Sequence, residues 1–131
     1  MSNAIVRAQF AKCGLPLPAG LAEKRGKASG GSMNGLERAY AQHLDLRRTA
    51  GEVEWYAYEW IKLRLADGAF YTPDFAVKLA TGEFQIVECK GTHWREAAKV
   101  RIKVAADRYP FTFLVVTKDG EGWRYQSVGE I

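Results

Sequence analysis

Two apolar runs, Phe70 to Leu79 and Phe84 to Lys90, flank the short segment Ala80-Thr81-Gly82, and this pattern constrains the chain more than any other. Runs of strand length joined by a loop containing Gly predict an antiparallel hairpin. With Gly82 in the left-handed position of a three-residue loop, Leu79 pairs with Glu83. Counting back in that register opposes Asp74 to Glu88. Period-two alternation places Glu88 and Lys90 on one face of the second strand, with Val87 and Cys89 on the other. Glu88 and Lys90 thus end an otherwise apolar strand, with Asp74 facing Glu88 from the first, and charge there is costly unless it is paired or used.

The rest of the chain can be read around this hairpin. Asn34-Gly35-Leu36-Glu37 has a capping residue followed three positions later by Glu, and Leu36, Tyr40 and Leu44 continue at helical spacing until Gly51. Val53 to Leu65, aromatic and β-branched, predicts two short strands or one bent one, with a turn at Gly68. Gly91 breaks the second strand of the hairpin, Thr92 can cap a helix from about His93 to Arg108, and Tyr109-Pro110 stops it. Phe111 to Thr117 and Gly122 to Val128 read as strands joined by a turn at Asp119-Gly120. A helix joining two apolar strands implies a crossover on a mixed sheet. The expected class is α/β, or α+β if most strand pairs are antiparallel, with a mixed central β-sheet flanked by an N-terminal helix and a crossover helix.

Charge divides the chain unevenly. Residues 1–32 hold five basic side chains, Arg7, Lys12, Lys24, Arg25 and Lys27, against the single acid Glu23, whereas residues 33–131 hold fourteen of each sign. The net charge of +4 therefore resides in the first segment. Gly14 to Ser32 is rich in Gly, Pro, Ala, Ser and Lys, so residues 1–32 are expected to form a flexible basic arm, with a short helix over Ala4 to Lys12, and residues 33–131 one folded domain. Such an arm suits a polyanion or acts as a solubilising leader. No stretch approaches the roughly 20 apolar residues of a membrane span. Met1 to Phe10 lacks a secretory apolar run, and Cys13 and Cys89 show no disulfide or metal-ligand spacing, which together fit a cytoplasmic protein.

Opposed carboxylates about 5 Å apart repel by roughly 3 kcal/mol at an effective dielectric near 20. A divalent cation removes the conflict, and hard carboxylate oxygens suit Mg2+ or Mn2+. Lys90 can then hold a water or a phosphate beside the metal. The alternative is a surface Asp–Lys–Glu cluster that satisfies itself.

Pro73-Asp74 followed across a short hairpin by Glu88-Cys89-Lys90 resembles the signature of the PD-(D/E)XK nuclease superfamily, which includes restriction endonucleases and archaeal Holliday-junction resolvases. Together with Leu36-Glu37, Tyr71-Thr72-Pro73-Asp74-Phe75 and Gly91, the run is most similar to a small phage- and prophage-encoded branch, over about residues 33 to 118. The resemblance implies a restriction-endonuclease-like fold and metal-dependent hydrolysis of DNA, with branched or junction DNA in phage replication or recombination as one substrate. It implies that Asp74, Glu88 and the Cys89 carbonyl bind the metal, that Lys90 positions or activates water, and that Glu37 completes the site. The rival reading is a non-catalytic nucleic-acid-binding accessory module, and a homodimer stays open.

Several residues carry two readings. Glu37 serves the helix cap, and its spacing also lets it reach a site on the sheet. Arg95, Lys99 and Lys103 form a basic stripe suited to phosphate contact or to solvent, and by resemblance Lys103 is favoured. His93 and Trp94 border the site, His43 is expected at the surface, and Trp55, Tyr56, Tyr58 and Trp60 are expected in core or cross-strand packing.

Overall fold

The structure, a computed structural model, describes residues 32–91 and 93–131. The proposed arm and its short helix, save Ser32, and the capping role of Thr92 lie outside these residues. The order of elements is α1 (Gly35–Thr49), β1 (Val53–Tyr58), β2 (Leu63–Ala66), β3 (Ala69–Tyr71), β4 (Phe75–Leu79), β5 (Phe84–Cys89), α2 (Glu96–Arg108), β6 (Thr112–Asp119), β7 (Gly122–Ser127) and a 3-10 turn at Val128–Glu130.

Five strands form one sheet in the order β1-β4-β5-β6-β7. The β5–β6 pair is parallel and the other three pairs are antiparallel. This is a mixed sheet with α2 as the crossover between its parallel strands, and its mostly antiparallel pairing meets the condition set for the α+β alternative. Alternation along the strands divides the core into two layers. Phe75, Val77, Val87, Cys89 and Val116 pack with Tyr40, Ala41 and Leu44 of α1. Ala76, Phe84, Ile86, Phe113 and Val115 pack with Ile102 and Ala105 of α2 and with Leu63, Leu65 and Tyr71 of the separate β2–β3 hairpin.

Both hydrogen bonds of the expected capping box form at the start of α1. The Asn34 side chain accepts from the Glu37 N–H at 2.8 Å, and the Asn34 N–H donates to Glu37 Oε1 at 3.0 Å. The β4–β5 register also follows the sequence: Phe75 opposes Val87, and the Leu79 N–H donates to the Glu83 carbonyl at 2.9 Å. Gly82 holds φ +99°, the left-handed conformation that a side chain would strain. Trp55 packs edge-on against Trp60, while Tyr56 and Tyr58 meet Phe75, as their alternation implied.

Four boundaries or placements differ from expectation. The apolar run from Phe70 to Leu79 is not one strand. It breaks at Thr72-Pro73-Asp74, because Pro73 has no N–H for a ladder, so β3 and β4 enter different sheets. The second helix begins at Glu96 rather than His93, with Arg95 in an extended N-cap conformation and no side-chain cap. The last strand stops at Ser127, and Val128 turns inward to a buried position instead of continuing it. His43 is half-buried, packed against the rings of both Tyr40 and Trp123. Among the described residues no helix is long and apolar enough to cross a membrane.

Candidate active site

The break at Pro73 and the end of β5 bring the acidic residues together. Asp74 precedes β4 by one residue and falls opposite Glu88 when the register is extended by one pair. Both are only 8% exposed. Asp74 Oδ2 accepts the Cys89 backbone N–H at 2.9 Å, which ties the carboxylate across the hairpin. Glu88 is held at both oxygens: the Tyr71 hydroxyl donates to Oε1 at 2.5 Å, and the Lys90 ammonium stands 3.3 Å from Oε2. Lys90, in turn, lies 5.3 Å from the centre of the Trp94 ring.

Electrostatics mark this pair as unusual. Burial first, then the Glu88 charge and a smaller push from Glu37, raise the Asp74 pKa to about 8, against the single lowering effect of the Cys89 N–H. Burial also raises Glu88, although the Tyr71 hydroxyl and the Lys90 ammonium oppose the rise. The structure therefore buries two carboxyl groups that resist ionising together, and Lys90 is the cation paired with Glu88. Burial and the neighbouring carboxylates push the Cys89 thiol well up, so it stays neutral and is no nucleophile.

Glu37 reaches the same place from α1. Its Oε1 serves the cap and also accepts the Tyr58 hydroxyl at 2.9 Å, while its charge is felt at Asp74. The cap and the site readings of Glu37 are thus compatible. A cleft of about 600 Å3 opens over these groups, bounded by Glu37, Asp74, Glu88, Lys90, His93 and Arg95 among others. Of the sequence-chosen basic residues, His93 and Arg95 border this cleft, whereas Lys99 and Lys103 do not. Lys99 rests over Trp94, 5.6 Å from the ring centre. Lys103 is exposed on the opposite flank of α2, because burial of Ile102 and Ala105 sets the rotation of the helix.

Three residues of this site escaped the sequence reading. Tyr71 and Tyr58 are the hydroxyl donors that fix Glu88 and Glu37. Arg101 lines the cleft from α2. Its signal was present, since Ala97, Ala98 and Arg101 fall at spacings that share a helix face, but the periodic Arg95–Lys99–Lys103 stripe was the more conspicuous pattern.

Among the described residues, no group of three or more His, Cys, Asp and Glu side chains is arranged to hold a metal ion. What the site offers is two buried, opposed carboxylates with a third nearby. Comparison with protein-family models, curated proteins and solved structures gives no match.

Proposed function

We propose that this chain is a metal-dependent endonuclease with the restriction-endonuclease-like arrangement of the PD-(D/E)XK superfamily, hydrolysing phosphodiester bonds in DNA. The observation that carries the reading is the buried opposition of Asp74 to Glu88 across the β4–β5 hairpin, with the Lys90 ammonium on Glu88 at the edge of an open cleft. Two buried carboxyl groups that cannot readily both ionise are a liability in a structural role, and they become useful when a cation arrives.

The donor set fits Mg2+ or Mn2+. Mg2+ is commonly held by one or two carboxylates, with waters and substrate phosphate oxygens completing its shell, and two buried carboxyl groups are what Asp74 and Glu88 offer. Asp74 and Glu88 would hold it, with the Cys89 carbonyl as a further oxygen. A bound cation supplies charge neutralisation at the phosphate and a more acidic water. Lys90 orients that water or stabilises the charge that grows on the phosphate. Tyr71 holds Glu88 in its rotamer, and Glu37, braced by Tyr58 and the helix cap, contributes the outer acidic group. His93 and Arg95 bordering the cleft, and Arg101 within its lining, offer phosphate contacts.

The charge of the N-terminal segment supports a polyanionic partner, and branched DNA of phage replication or recombination in the cytoplasm is the setting proposed for it. The test is phosphodiesterase activity on linear, flapped and four-way DNA, with Mg2+ or Mn2+ and with chelator. Cleavage that requires both the metal and Asp74 is expected. A protein that binds these DNAs yet cuts none with any divalent metal is instead the accessory binding module.

A further inference from the structure

The acidic pair does not lie at the bottom of a single hollow. A second cavity of about 270 Å3, lined by Phe70, Tyr71 and Thr72, shares Glu88, Lys90 and Arg101 with the larger cleft. Glu88, Lys90 and Arg101 therefore form a common wall between two lobes. The larger lobe runs toward Glu37 and His93 and the smaller toward the β2–β3 hairpin. That hairpin turns Tyr71 inward to Glu88 and leaves its neighbour Phe70 outward, 44% exposed. The Lys62 ammonium stands 4.6 Å from the centre of the Phe70 ring. An aromatic face, a cation and a small polar cavity meet beside the acidic pair.

We propose that the smaller lobe receives one unpaired nucleotide next to the bond that is cut, with its base against Phe70 and its phosphate at Arg101. The preferred substrate is then a DNA with a single-stranded or flapped segment at the cleavage point. This rests on the nuclease reading above for the position of the scissile phosphate on the common wall. Three observations favour an unpaired nucleotide over a duplex. A cavity of about 270 Å3 is the size of one nucleoside, and a base still paired and stacked in a duplex cannot enter it without leaving the stack. Stacking on an exposed aromatic beside cations is how proteins hold single strands without reading sequence. Residues 33–131 carry equal numbers of acidic and basic side chains, so the domain lacks the excess of cations with which duplex binders neutralise many phosphates.

The experiment measures binding apart from cleavage, with Ca2+ in place of Mg2+. The full-length protein is titrated against a dye-labelled pentathymidylate, a hairpin duplex with a five-nucleotide flap, and the same hairpin blunt-ended. Flapped DNA is expected to bind more tightly than blunt DNA. Phe70→Ala should weaken the flapped and single-stranded complexes about tenfold, in line with the loss of one stacked base. It should leave the blunt complex unchanged, and Phe70→Trp should retain wild-type affinity. Equal affinity for flapped and blunt DNA, unaltered by Phe70→Ala, overturns the subsite even where Mg2+-dependent cleavage stands. Phe70-dependent binding of the flap by a protein that cuts nothing supports the subsite and sinks the nuclease reading. No binding of any of the three DNAs overturns both.

Discussion

Replacing Asp74 by Asn should make the metal-free protein more stable, and the gain should depend on pH. In the folded chain the Asp74 pKa is raised from an ordinary 3.8 to about 8. A carboxyl raised in this way contributes its stability below the ordinary value and loses it as pH climbs toward the folded value. Each pH unit in that window is worth ~1.4 kcal/mol, so holding a proton on Asp74 at pH 7 costs the fold up to ~4 kcal/mol. Asn offers a carbonyl oxygen to the Cys89 N–H in place of Oδ2 and never has to ionise. Glu88 keeps an uncharged neighbour over most of this range, and the Asn amide must find an acceptor. A net gain of ~2 kcal/mol at pH 7.5, shrinking to nearly zero at pH 4, is therefore expected. Urea titrations of both proteins in chelator between pH 4 and pH 8 measure it. Adding Mg2+ should stabilise the wild type and not Asp74→Asn, because ligand stabilises only a fold that binds it. Parallel stability curves for the two proteins across this pH range, or a variant less stable throughout, would refute the buried like-charge argument.

Other substitutions probe the remaining contacts. Lys90→Ala should lower single-turnover cleavage by ~10²-fold or more, about 2.7 kcal/mol of barrier, while DNA affinity in Ca2+ falls far less. Equal losses in cleavage and binding would remove Lys90 from the chemistry. Tyr71→Phe deletes the hydroxyl bound to Glu88 Oε1, leaving a buried acceptor short of a donor at a cost of ~1–3 kcal/mol. Calorimetry should show weaker Mg2+ binding in that variant, and unchanged affinity would mean that Glu88 needs no fixing. Gly82→Ala must place a side chain at φ +99°, so denaturation should show a loss of ~1–2 kcal/mol with an unchanged denaturant slope.

The sequence was most legible where local chemistry and global fold agree. Gly82 defined the hairpin loop, and the loop defined the register that opposes Asp74 to Glu88. Asn34 and Glu37 announced the start of α1 because both bonds of the cap are local. The break at Thr72-Pro73-Asp74 was harder, since the flanking residues continue an apolar strand pattern and the choice between one sheet and two is tertiary. Arg101 was missed for a related reason. The spacing of charges on α2 identifies a stripe, but which flank faces the site depends on how Ile102 and Ala105 seat the helix. Tyr58 read as a core or cross-strand aromatic and Tyr71 only as part of a strand and its motif, and each is buried. Only the partners of their hydroxyls, distant in sequence, reveal the second task.

The single parallel pairing in the main sheet has a consequence for the order of assembly. Asp74 and Glu88 belong to strands joined by a three-residue loop, so their juxtaposition needs little chain entropy. Strand β6 can join β5 only after residues 90–111, including α2, have been threaded across the sheet. The acidic hairpin should therefore form early in the folding reaction, while β6 and the α2 layer that bury its flank arrive late. Val77→Ala should then slow folding, whereas Val115→Ala should chiefly speed unfolding. The reverse pattern in stopped-flow kinetics would place the crossover in the nucleus. In an early hairpin Asp74 and Glu88 are still hydrated and repel only weakly, so the nascent chain meets their full electrostatic cost only after its topology is committed.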